Sequence, residues 1–94
     1  MSDPTQTVFQ MISDPGHGWL AVPVALLNDL EIQTSISRFS YLSRDRETAY
    51  LEEDCDMGVF WSAFKVKFGC PPQYKNEHQG STFIRNLKSY PQSN

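Results

Sequence analysis

The stretch "DMGVFWSAFKVKFGCPP", residues 56–72, constrains the fold more than any other part of the chain. Met57, Phe60, Trp61, Phe64 and Phe68 recur at i, i+3, i+4, i+7 and i+11, one continuous apolar stripe of an α-helix. Val59, Ala63 and Val66 widen the stripe, leaving Ser62, Lys65 and Lys67 for solvent. Gly69 stands where a left-handed residue ends a helix, and Pro71 and Pro72 forbid its resumption. In a chain of 94 residues there is room for one core, so the stripe predicts a single domain over residues 1–94.

The other elements are shorter. "GWLAVP" follows a Pro-Gly turn and reads as a buried strand, and Pro23 suits the first position of a two-turn helix carrying Leu26, Leu27 and Leu30. "SISRFSYLS" and "TAYLEE" alternate around the polar link "RDRE", as an antiparallel hairpin from about Ile36 to Glu53 does. "PPQYKNEHQG" reads as loop and "STFIRNLKSY", by its weak alternation, as a last strand with a helix as the alternative, while "MSDPTQT" and "YPQSN" read as frayed ends around an ordered core of about 13–90. The resulting order is strand, helix, strand, strand, helix, strand: an α+β fold of ferredoxin-like βαββαβ type, with two helices on one face of a small antiparallel sheet.

Between hairpin and helix lies "EEDCD", four carboxylates and a thiol in Glu52 to Asp56. Asp54 is expected as the helix N-cap and Asp56 as a first-turn acid favoured by the helix dipole. Glu52 and Glu53, at a strand end, point to opposite faces. The stretch lacks the alternating spacing and glycine of a calcium loop, so no metal site is expected from it. Cys55 and Cys70 read as free thiols; His17 in "DPGHGW" reads as part of a glycine-supported tight turn, and His78 lacks a companion in zinc spacing. No cofactor is expected.

Charge is unevenly distributed. Residues 1–64 hold ten acids against three arginines, a net −7, and the last thirty hold five bases against Glu77, a net +4. An acidic face of Asp29, Glu31, Glu52, Glu53 and Asp56 would meet a basic protein partner. The alternative is a nucleic-acid surface of Lys65, Lys67, Phe83, Arg85 and Lys88, with aromatics interleaved for stacking, although the sequence pI of about 5.2 opposes tight binding. A third reading is an enzyme centred on His17 or Cys55, which requires the two to share a pocket. No signal peptide or membrane span is evident, so a cytoplasmic location is expected. A second copy of the chain is a further candidate partner, since a one-sided sheet leaves a face to cover.

The blocks "DPGHGWLAVPVALL", "YLEEDCDMGVF" and "IRNLKSY" together resemble a family of small bacterial proteins found with phage or plasmid genes. The resemblance spans residues 13–90 and implies no catalytic role. Where it leads one to expect a glycine ending the first helix, this chain has Glu31. "LAVPVALLNDLEI" and the two strands after it are also similar in order to the swapped hairpin of AbrB-like regulators, but Asp29 and Glu31 stand where that family uses basic residues to meet DNA. The leading expectation is therefore a non-enzymatic interaction domain of a mobile element, docking on a host protein, as an inhibitor in one form.

Overall fold

A computed structural model describes residues 3–78 and 83–91. Strand β1 spans Val8–Ser13, β2 Gly18–Pro23, β3 Tyr41–Leu42, β4 Thr48–Glu52, β5 Gln73–His78 and β6 Lys88–Ser89. Helix α1 covers Val24–Asp29 and α2 Asp56–Phe68, with short 3₁₀ turns at Pro4–Gln6 and Phe83–Asn86. All six strands join one sheet in the order β5-β1-β2-β4-β3-β6. Every neighbouring pair is antiparallel except β1 and β5, which run parallel.

This is α+β, with both helices packed into one core, but not the ferredoxin-like order expected. Two strands account for the difference. "VFQMIS" has only Phe9 and Met11 on its inner face, and it was hidden beside a polar terminus; in the structure both side chains are buried. "QYKNEH" carries almost no apolar residues because it is an edge strand, its inner face reduced to Tyr74 and Asn76 beside Phe9 and Met11. The expected last strand is instead the 3₁₀ turn Phe83–Asn86 and the two-residue β6, with part of the stretch outside the described residues. The swapped hairpin does not describe the chain either, because β3 and β4 find their partners within one continuous six-stranded sheet.

Alternation sorts the strand residues onto two faces. Phe9, Met11, Leu20, Val22, Ala49 and Leu51 form the first face, with Leu20 opposite Leu51 and Val22 opposite Ala49 in the ladder. Helix α2 lays Phe60 and Phe64 on it, both fully buried, and Phe9 meets them edge-on at 5.4 and 6.1 Å. Burial of side chains this large is worth roughly 1.5–3 kcal/mol each, which makes this the main source of stability. The expected stripe holds except at its margin: Val66 is 88% exposed.

Helix ends follow local chemistry. Gly69 takes φ +78° and closes α2, its N–H donating to Lys65 O. Helix α1 ends in a Schellman motif, in which Ile32 N–H reaches Leu27 O and Glu31 N–H reaches Asn28 O. Glu31 itself occupies the left-handed position at φ 59°, the site where glycine was expected. Pro23 closes β2 and serves as the N-cap of α1 rather than its first residue.

The second face carries Ile12, Trp19, Tyr41, Tyr50 and Glu52. Ile84, fully buried, descends from the 3₁₀ turn onto Ile12 and Trp19. The sheet is thus covered on one side by two helices and on the other, in part, by a strap from the C-terminal segment. Among the described residues no helix is long and apolar enough to cross a membrane.

Candidate functional site

Beside that strap, the second face opens into a groove of about 520 Å³. Arg38, Phe39 and Tyr41, with Ser89 opposite Tyr41 in the ladder, make one wall, and three further stretches supply the others. The first is the turn between β1 and β2. Asp14 accepts N–H bonds from Gly16 and His17 on Oδ1, both at 2.9 Å, while its own N–H donates to His17 O. That closed turn sets His17 at the groove's edge, next to the buried indole of Trp19, with ring centroids 5.9 Å apart.

The second stretch is the end of β4. Glu52 lies opposite Trp19 in the ladder and is 5% exposed. Its Oε2 accepts the Asp54 N–H at 2.9 Å and its Oε1 lies 3.4 Å from His17 Nδ1. One donor atom each from His17, Glu52 and Asp54 falls within 4.8 Å of the other two. Cys55 lines the same groove. Its thiol is pushed above its ordinary value, first by the hydrogen bond to Glu52, then by burial and the surrounding carboxylates, which makes it a poor thiolate nucleophile.

The third stretch supplies Arg85. Its Nε–H donates to Asp14 Oδ2 at 2.7 Å and its Nη2 to Asp14 Oδ1 at 3.2 Å, while the guanidinium lies 5.3 Å over the Trp19 ring. The pairing holds the Asp14 carboxyl well below its ordinary value. One ion pair therefore ties the strap to the turn that presents His17. The Trp19 indole N–H is buried beneath this arrangement without a hydrogen-bond partner.

The acidic cluster resolves into separate roles. Helix α2 begins at Asp56, with Cys55 as an N-cap that makes no capping bond, so Asp54 is not the cap. Asp56 turns inward, 3% exposed, and accepts bonds from Ser37 N–H at 3.0 Å, Ser37 Oγ at 2.7 Å and the Ser40 hydroxyl. Glu53 is exposed on the opposite side from Glu52, against Gly18, Trp61 and Tyr74. Asp29 and Glu31 are exposed at the end of α1. The five carboxylates expected to form one acidic face do not do so, because Glu52 and Asp56 are buried.

The expected basic surface is divided too. Lys65 and Lys67 sit on α2, over the first face, and Lys67 Nζ donates to Asp29 O at 3.1 Å. Phe83 and Arg85 belong to the strap on the second face, where Phe83 meets Tyr50 edge-on at 5.5 Å. Lys88, on β6, instead joins Arg44 and Arg46 around a groove of about 600 Å³ that, among the described residues, no carboxylate lines. Those two arginines were read only as a polar link. They are presented by the β3–β4 turn, whose Asp45 is engaged by the Ser43 hydroxyl and the Glu47 N–H.

His17 and Cys55 do share a groove, as the third reading of the sequence required. What the sequence did not reveal is that His17, 35 positions before Glu52, meets that carboxylate, an approach made by the β2–β4 ladder. The His78 side chain lies outside the described residues. Comparison with protein-family models, with curated proteins and with solved structures finds no match to the chain.

Proposed function

We propose that the chain is a non-enzymatic interaction domain that docks on a partner protein through the rim of the His17 groove. The observation that carries this reading is Phe39, 59% exposed at that rim with the Arg38 guanidinium 5.9 Å from its ring centroid. Aromatic side chains, phenylalanine among them, and arginine are enriched at protein interfaces, and arginine is among the residues that carry most of the binding energy there. Asp54 stands on the same rim and offers a carboxylate to a basic side chain of the partner. Of the acids expected to meet a partner, Glu53 lies on the opposite side and Asp29 and Glu31 at the end of α1, so the acidic contact of the proposal is Asp54, which the expected face did not include. Docking on a host protein, as an inhibitor, agrees with the likeness of the three sequence blocks to phage- or plasmid-associated proteins.

The test is affinity capture from nuclease-treated lysate, followed by binding of the captured protein in purified form to wild type, Phe39→Ala and Asp54→Lys. The proposal expects at least a tenfold loss in each variant. Undiminished binding by both variants would remove this surface from consideration.

The basic groove favours a second reading, a nucleic-acid module using Lys88, the one of the five expected residues that lines it, together with Arg44 and Arg46. Three phosphate contacts would give a logarithmic salt slope of about −2 to −3 on single- or double-stranded probes. No shift at 50 mM salt would end that reading.

A further inference from the structure

We propose that His17, Glu52 and Asp54 form a binding site for a divalent transition-metal ion of the zinc class. The spacing is the first argument. His17 Nδ1 and Glu52 Oε1 are 3.4 Å apart, too far for a good N–H···O bond, which lies at about 2.7–3.2 Å. Two ligands held tetrahedrally on one ion at about 2.0–2.2 Å are separated by roughly 3.4 Å. The Asp54 oxygen completes a triangle in which no donor pair exceeds 4.8 Å.

Charge is the second argument. Glu52 is a buried carboxylate whose one ion-pair neighbour among the described residues is that distant imidazole. Its other partners, the Asp54 N–H on Oε2 and the Cys55 thiol, are neutral donors, and Oε1 faces His17. Arg85, the other cation of this face with a fixed partner, is committed to Asp14. A buried carboxylate is stabilised by a paired cation or a metal ion, and here the position between Glu52, Asp54 and His17 is where one fits.

The donor set selects the ion. One imidazole and two carboxylates, with the Cys55 thiol at the groove wall, suit Zn²⁺ or Co²⁺ better than Mg²⁺ or Ca²⁺, which take six or more oxygens.

The metal site shares Asp54 with the docking rim, and the two are separated by Phe39→Ala, which leaves all three ligands in place, and His17→Ala, which leaves Phe39 and Asp54 in place. The experiment is titration of the metal-free full chain with Zn²⁺ by calorimetry and with Co²⁺ by visible absorption. The expected result is saturable one-to-one binding with a Co²⁺ d–d band. Affinity should weaken at least tenfold in His17→Ala and in Asp54→Asn, with both variants confirmed folded by circular dichroism. Absence of saturable binding overturns the proposal. So does binding that survives both variants, or that is abolished by Cys70→Ser instead, since the ion would then sit elsewhere.

Discussion

The hydroxyl of Ser40 donates to the carboxylate of Asp56 while its oxygen accepts the Glu52 N–H at 2.9 Å, so one buried side chain joins the end of β4 to the first turn of α2. Ser40 is fully buried and its own carbonyl accepts the Tyr90 N–H at 2.7 Å. The loop from Ser37 to Ser40 is thereby a hub, and its geometry sets the height of Glu52 in the neighbouring groove.

Removing the carboxylate at this hub strands three donors. Asp56→Ala should destabilise the fold by about 3 kcal/mol, the cost of leaving charge-assisted partners unsatisfied in the interior. Urea unfolding curves provide the measurement. A loss under 1 kcal/mol would mean the serines find water instead.

Acid should act through Asp14. Its carboxyl titrates lower in the folded chain than its ordinary value of 3.8, so the ion pair with Arg85 contributes fully above that pH. The contribution is lost as pH falls below it toward the depressed folded value. The difference in thermal midpoint between wild type and Asp14→Asn should therefore be largest near neutrality and shrink progressively from pH 4 to pH 2. A constant gap would show that the asparagine disturbs only the turn.

Glu31 offers a gain. An L-residue with a Cβ at φ 59° is strained, and glycine is not. Glu31→Gly should stabilise by roughly 0.5–1 kcal/mol, whereas Glu31→Ala should give no such increase, because alanine keeps the Cβ. Denaturation midpoints of the two variants, measured side by side, decide the matter.

Ile84 is the strap's only fully buried side chain among the described residues. Ile84→Ala should cost about 3 kcal/mol and leave a void over Trp19. Tryptophan emission should shift to the red as water reaches the indole, and the shift should be smaller in a background where Trp19 is replaced by Phe.

Legibility of the sequence tracked the density of apolar signal. Helix α2 could be read to within two residues because five large side chains and a Gly-x-Pro-Pro stop all agree. The β3–β4 pairing was visible for the same reason, although only Tyr41 and Leu42 of the first strand form it. β5 escaped because an edge strand needs few apolar residues, and the register with β1 is what gives "QYKNEH" its structure. The site was harder. Local spacing within "EEDCD" argued correctly that Glu52 and Glu53 diverge, and it gave no hint that a ladder would bring His17 to one of them. Asp56 illustrates the opposite error: a helix-start acid has an evident solvent-facing role, and only the loop at Ser37 turns it inward.

The strap has a kinetic consequence. Its docking on Ile12 and Trp19 joins residues about seventy positions apart, and the β1–β5 pairing spans a similar separation, so both contacts close large loops late in folding. The groove needs the turn at His17, the end of β4 and Arg85 together. It should be the last feature acquired as the chain folds, and the first surrendered when amide exchange reports partial opening.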